Sequence, residues 1–126
     1  MKMLRNKDSG SSFSRYVKSF CHAIDGIVAS IKYEHNMIIM LIATVLVVFM
    51  GIYFNIKIYE WLFCISIIGA IFASELINTA IEALVDLDSF EINPLAKFAK
   101  DAASGATLIL CVVALIGSLI IFIPYI

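Results

Sequence analysis

Charged residues are scarce in this 126-residue chain. Asp, Glu, Lys and Arg together make up 15% of it, whereas hydrophobic residues make up 62%. A typical soluble domain has about 25% charged and about 45–50% apolar residues. A soluble domain of this length has too much surface to hide so many apolar side chains. The composition therefore predicts a single-domain integral membrane protein.

The sequence also lacks a basic excess and any close pair of cysteines. Nine Lys and Arg residues against ten Asp and Glu residues leave a net charge of -1, so nothing points to nucleic-acid binding. Cys21, Cys64 and Cys111 lie far apart in the chain, which excludes a disulfide framework and a cysteine-based zinc site. We expect all three to be buried free thiols.

Three long apolar runs predict membrane-spanning helices. The first, Met37–Phe54, has eighteen uncharged residues; as a helix it is about 27 Å long, close to the hydrocarbon thickness of a bilayer. The predicted spans are residues 36–54, 58–86 and 94–123. Asn93 is a suitable N-cap for the third helix, and Pro94 a suitable first helical residue. The predicted fold class is therefore all-α with three transmembrane helices.

The basic residues lie unevenly around these spans. Eight of the nine precede the first span or lie between the second and third, and only Lys57 lies at the opposite ends of the spans. Cytoplasmic loops carry an excess of Lys and Arg. We therefore expect the N-terminus and the 86–101 connection to be cytosolic and the C-terminus to lie outside.

Residues 13–32 predict a different kind of helix. Apolar residues recur there at the i, i+3, i+4 spacing, and a basic polar face, including Arg15, Lys18 and His22, lies opposite. Such a helix beside a membrane span is typical of an amphipathic helix on the cytosolic leaflet, with packing on a partner protein as the alternative. Residues 1–12 are predicted to be a disordered tail, and residues 13–126 a single membrane domain.

Acidic residues inside the second span carry the functional information. Glu75, Asn78, Glu82 and Asp86 are three, four and four residues apart, which places them on one helix face. Glu75 lies about 16 Å in from Asp86 along the helix. A carboxylate at that depth costs a few kcal/mol unless it is paired, so an acid there is a functional residue by default.

Two interpretations of this acidic face remain open. Either its carboxylates are protonated, as in a proton-coupled transporter, or they hold a divalent cation such as Mg²⁺, which also brings substrate phosphates. Asn78 alone also fits an interhelical contact, and Asp86 alone fits a helix end. Further polar residues at the same membrane boundary are Glu34, Lys100 and Asp101. The set suits a cytosolic phosphate-bearing ligand that meets a second ligand from the bilayer.

The segment Glu75–Asp86, ELINTAIEALVD, resembles the core motif of the prokaryotic diacylglycerol kinase family, whose Gram-positive members act as undecaprenol kinases. The segments Pro94–Ala106 and Glu34–Met37 match two further family motifs, in forms closer to the undecaprenol kinase branch. The resemblance extends without a gap from about Phe13 to Pro124.

The resemblance implies a homotrimer of three-span protomers in the bacterial inner membrane, each with an N-terminal surface helix. It also implies active sites shared between neighbours at the membrane–cytosol interface. The implied reaction transfers the γ-phosphoryl group of ATP to the primary alcohol of a membrane lipid, with Mg²⁺. Undecaprenol is the favoured lipid and diacylglycerol the alternative. No GxxxxGK[ST] phosphate-binding loop is present.

The resemblance also implies roles for individual residues. Glu75 is the expected catalytic base, and Glu34 and Glu82 are the expected Mg²⁺ ligands. The expected ATP contacts are Arg15, His22, Glu34, Glu82, Glu91, Asn93, Lys100 and Asp101. The expected lipid contacts are Arg15, Glu75, Asn78 and Ser104.

This chain departs from the family pattern at a few positions. Ile38 stands where the family usually has Arg, Met40 where a polar residue is common, and Ile92-Asn93 where Tyr-His is common. These changes concern lipid-headgroup and adenine contacts, not the base or the metal ligands.

Two other functions compete with that of a lipid kinase. They are a small proton-coupled transporter and a non-enzymatic membrane subunit. Phosphorylation of a lipid by the purified protein distinguishes a kinase from both.

Overall fold

The computed structural model describes residues 12–88 and 93–126, which form four α-helices. They are α1 (Ser12–Tyr33), α2 (His35–Phe54), α3 (Ile58–Asp88) and α4 (Pro94–Phe122), followed by a short 3₁₀ turn, Ile123–Tyr125. The helices α2, α3 and α4 are each long and apolar enough to cross a membrane. The predicted all-helical fold with three long apolar helices, each a candidate membrane span, is confirmed.

The chain divides into two compact units, residues 1–33 and 34–126. The first contains α1, which begins at Ser12, the last residue of the predicted tail; residues 1–11 lie outside the described part. No residue of α1 is buried, so Cys21 is exposed and its predicted burial is wrong. In the second unit Cys64 is buried and Cys111 partly buried.

Within the second unit, α3 packs chiefly on α4 and less extensively on α2. The start of α4 follows the predicted cap, because the Asn93 side chain accepts a hydrogen bond from the Leu95 N–H at 2.8 Å. Pro94 fills the first helical position, where a backbone N–H would have no intrahelical partner. Neither residue needs tertiary support for this role, which is why the sequence predicts it.

The turn between α2 and α3 is fixed by local hydrogen bonds. Asn55 closes α2 in the left-handed region, at φ 53°, which Asn tolerates better than most residues. The Lys57 N–H then donates to Glu60 Oε1 at 2.9 Å, as a third-position Glu does in a capping box. Tyr125 Oη donates to the same carboxylate oxygen at 2.5 Å, which ties the C-terminal turn to the start of α3.

Apolar packing holds this end of the unit together. The buried cluster here consists of Ile56, Cys64, Ile121 and Phe122. Gly51 and Gly117 allow the aromatic rings of Trp61 and Phe63 to lie directly against the backbones of α2 and α4. The acidic face of α3 begins at Glu75, about three turns beyond Cys64 on that helix.

Replacing Gly51 by Ala is expected to destabilise the protein by about 1–3 kcal/mol. A Cβ atom at Gly51 would lie 2.6 Å from Cη2 of Trp61, so the ring would have to move. Thermal unfolding of the detergent-solubilised protein measures the effect. Gly69→Ala is the matched control, because a Cβ there meets nothing within 4 Å. A Gly51→Ala variant as stable as this control would refute the close packing.

Candidate active site

Glu75 is the most deeply buried charged residue of the described chain, with 2% of its surface exposed. It lies on α3 one turn before Asn78, which is also buried, and two turns before Glu82, which is half-buried. The side-chain amides of Asn78 and of Asn36, from the first turn of α2, lie within hydrogen-bonding reach of the Glu75 carboxylate. Side chains from two helices thus interact with this carboxylate.

Two more carboxylates face Glu75. Glu34 and Glu82 are both close enough to act on it electrostatically. Glu34 occupies the N-cap position of α2, yet its side chain makes no capping hydrogen bond, so its carboxylate is free for another partner. Among residues 34–88 and 93–126, no Lys or Arg forms an ion pair with any of these three acids. The arrangement concentrates negative charge without a counter-ion from this part of the protein.

One buried acceptor beside Glu75 has no partner within the described chain. It is Oδ1 of Asn78, a residue that is 5% exposed; Oγ1 of Thr79 is likewise unpaired. Buried polar groups are nearly always hydrogen-bonded, and an unpaired one costs about 1–3 kcal/mol. The Asn78 oxygen is therefore placed to accept a hydrogen bond from a group outside the described chain.

Lys100 and Asp101, adjacent in the sequence, have different partners in the structure. Lys100 Nζ pairs with Asp86 Oδ1 at 2.8 Å, whereas Asp101 pairs with Lys97 at 2.5 Å. Successive residues of a helix point about 100° apart, so the two side chains leave α4 in different directions. Lys100 is directed towards the acidic face and interacts electrostatically with Glu82. Asp86 does not end α3, which continues to Asp88.

The remaining predicted contact residues are exposed or lie outside the described residues. Arg15 and His22 are exposed on α1. Ser104 is exposed on α4 and has no hydrogen bond to any described residue. Glu91 and Ile92 lie outside the described residues.

An apolar groove of about 370 Å³ opens beside the acidic cluster, between α2, α3 and α4. Asn36 lines one end of it, and the groove follows α2 to Val47, about 16 Å further along that helix. Met40, one of the departures from the family pattern, lines the groove, whereas Ile38 is exposed. The volume of the groove lies in the lower part of the range for ligand pockets, roughly 300–1,000 Å³. Asn36 thus connects a hydrocarbon-lined space to the Glu75 carboxylate.

The family model for prokaryotic diacylglycerol kinase matches residues 21–122, which include the whole cluster described above. The chain belongs to the prokaryotic diacylglycerol kinase family. The resemblance carried by the three motifs is confirmed, and the chain is a lipid kinase rather than a transporter or a non-enzymatic subunit.

Two curated members of this family show how far the similarity extends. Undecaprenol kinase of Bacillus subtilis (strain 168) is 40% identical over 119 residues, which cover 94% of this chain and 97% of that protein. Diacylglycerol kinase of Helicobacter pylori (strain J99) is 33% identical over 97 residues, 77% of this chain and 76% of that protein. The similarity to the Bacillus kinase therefore includes nearly all of both chains.

Proposed function

We propose that this kinase transfers the γ-phosphoryl group of ATP to the primary alcohol of undecaprenol, with Mg²⁺ as cofactor. The observation that carries the proposal is a buried carboxylate, Glu75, that interacts with Asn36, a residue that lines an apolar groove. An acid in that position meets a lipid alcohol whose hydrocarbon chain stays out of water. The Bacillus relative supports undecaprenol, and the Helicobacter relative supports diacylglycerol as the second candidate.

Glu75 is proposed to accept the proton of the lipid alcohol. A positioned general base must lie within hydrogen-bond reach of the proton that it takes and typically contributes 10²–10⁴-fold to the rate. The Asn36 and Asn78 amides orient the carboxylate, and the unpaired Asn78 Oδ1 is proposed to contact the same headgroup. Arg15 and Ser104 are proposed as further lipid contacts on the strength of the family resemblance alone.

Glu34 and Glu82 are proposed to hold Mg²⁺ together with the nucleotide phosphates. In the described part of the chain, no three His, Cys, Asp or Glu side chains are already arranged as a metal site. Two carboxylates still fit this ion, because Mg²⁺ usually takes one or two from the protein and further oxygens from phosphates and water. When bound, Mg²⁺ would neutralise phosphate charge, which is what phosphoryl transfer chiefly requires.

Lys100 is proposed to contact the phosphates of ATP. Its ammonium group pairs with Asp86 and lies near Glu82. A small movement of the Lys100 side chain away from Asp86 would therefore bring it to a phosphate bound beside Glu82. The other proposed nucleotide contacts, carried over from the family resemblance, are Arg15, His22, Glu91, Asn93 and Asp101. The exposed positions of Arg15, His22 and Asp101 leave them accessible to a ligand from water.

The assembly and its placement in the membrane are also proposals. We infer a homotrimer whose neighbours share active sites, with α1 lying as an amphipathic helix on the cytosolic leaflet. The exposed apolar surface of α2, α3 and α4 in a single chain supports contact with lipid and with neighbouring copies. The acidic cluster lies at the same ends of the spans as the eight basic residues, which supports a cytosolic site and a C-terminus outside.

Undecaprenol is expected to give the higher kcat/KM when it is compared with diacylglycerol, with measurable activity on both. The groove beside Glu75 is lined by apolar side chains such as Met40, which suit an isoprenoid chain but give the diacylglycerol esters few hydrogen-bond partners. Such a groove discriminates weakly between the two lipids, because neither lipid leaves a polar group of the groove buried without a hydrogen-bond partner. Radiolabelled ATP with each lipid at equal mole fraction in one detergent gives the ratio. A tenfold preference for diacylglycerol would overturn the assignment of undecaprenol.

A further inference from the structure

A hydrogen bond between two hydroxyl side chains joins α3 to α4 directly beside Glu75. Ser74 Oγ and Thr107 Oγ1 are 2.7 Å apart. Thr107 is buried, with 7% of its surface exposed, and Ser74 is half-buried. Both residues lie within helices of membrane-spanning length, where few water molecules compete for the bond.

Among the described side chains, two hydrogen bonds join α3 to α4, and this is one of them. The other is the Asp86–Lys100 ion pair. On α3 the two contacts lie at positions 74 and 86, so they enclose the segment that carries Glu75, Asn78 and Glu82. The ion pair is solvated, with 66% of the Asp86 side chain exposed, and it must open if Lys100 moves to a phosphate. Of the side-chain hydrogen bonds between the described parts of the two helices, the hydroxyl pair then remains.

We propose that Ser74 and Thr107 are positioning residues: their hydrogen bond fixes the rotation of α3 about its axis and so aims the Glu75 carboxylate. Apolar side chains resist separation of the helices but set their rotation less strictly, because dispersion contacts have little directionality. At a side-chain radius of about 5–6 Å, a rotation of about 10° moves a carboxylate by about 1 Å. A misplacement of about 1 Å can reduce turnover about 10²-fold. This inference rests on the proposed role of Glu75 as the base.

The test compares steady-state kinetics of the full-length protein in lipid–detergent micelles, with Mg-ATP and undecaprenol as substrates. The variants are Thr107→Val, which keeps the shape and removes the hydroxyl, Ser74→Ala, and the double variant. Thr107→Ser keeps a hydroxyl and serves as the rescue. Ser66→Ala is the matched control on α3, because Ser66 is exposed and has no hydrogen bond to any described residue.

We expect Thr107→Val and Ser74→Ala each to lower kcat by about 10–100-fold, within the loss that a misplacement of about 1 Å produces. KM for Mg-ATP should change less than twofold, because the proposed nucleotide contacts do not involve the pair. The double variant should be no slower than the slower single variant, Thr107→Ser should regain most of the rate, and Ser66→Ala should match the wild type.

Several results would overturn the inference. They are a Thr107→Val variant with more than half of the wild-type kcat, a parallel rise in KM for Mg-ATP, additive losses in the double variant, or no rescue by Ser. If Thr107→Val does not fold, Ser74→Ala and Thr107→Ser still decide the question through the split between kcat and KM. An active Glu75→Gln variant would remove the base assignment instead. An inactive Glu75→Gln variant beside an active Thr107→Val variant would remove only the positioning role.

Discussion

Replacing Glu75 by Gln is expected to lower kcat by 10²–10⁴-fold, the contribution that a positioned general base typically makes. The amide has nearly the shape of the carboxylate and still reaches Asn36 and Asn78, but it no longer accepts a proton from an alcohol. Mg-ATP affinity and the oligomeric state should therefore stay close to those of the wild type. The measurements are lipid-dependent turnover, nucleotide binding and size-exclusion chromatography of the same detergent preparation.

Glu60→Gln is the matched control for this experiment. Glu60 lies on the same helix but at the opposite end, where its Oε1 atom accepts hydrogen bonds from Lys57 and Tyr125. A Gln oxygen can accept both bonds, so turnover should persist in this variant. If Glu75→Gln kept more than about a tenth of the wild-type kcat, Glu75 would not be the base.

Glu34→Ala and Glu82→Ala are each expected to weaken Mg-ATP binding about tenfold or more, since contacts to a charged group contribute about 1.5–3 kcal/mol. Each variant leaves one of the two proposed Mg²⁺ ligands in place, so excess Mg²⁺ should partly restore binding. The double variant should bind more weakly still and should not recover. Titration of the nucleotide into detergent-solubilised protein at several Mg²⁺ concentrations measures both effects.

The control for the metal ligands is Asp25→Ala, which removes an exposed acid from α1 that has no proposed role. It separates the loss of a ligand from a general change in the negative charge of the protein. Wild-type affinity for Mg-ATP in both single variants would contradict the metal assignment. A loss in only one of them would leave that residue alone as the ligand.

Much of this architecture follows from local features of the sequence. Predominantly apolar runs are long enough to predict each membrane helix, and Asn93-Pro94 predicts the start of α4 because a cap depends on a few neighbouring residues. The spacing of Glu75, Asn78 and Glu82 places them on one face of α3 because helix geometry is regular. These features need no knowledge of how the helices pack.

The contacts between helices could not be predicted in the same way. Asn36 reaches Glu75 only because the first turn of α2 packs at that height on α3, and nothing near Asn36 in the sequence encodes this. The partner of Lys100 is Asp86, fourteen residues earlier, rather than the adjacent Asp101. Such contacts depend on the rotation and relative height of two helices, to which many weakly directional side-chain contacts contribute.

The length of α3 has a consequence for the membrane in which this kinase works. Its 31 residues extend about 46 Å, whereas the hydrocarbon layer of a typical bilayer is about 30 Å thick. Measured from Ile58 along the helix, Glu75 lies at about 26 Å and Glu82 at about 36 Å. For a hydrocarbon layer of about 30 Å that begins at Ile58, the far edge falls between them. A thicker bilayer would draw Glu82 into hydrocarbon, and a thinner one would bring Glu75 among the headgroups. Hydrophobic mismatch is therefore expected to affect the proposed base, Glu75, and the proposed metal ligand, Glu82, in opposite directions.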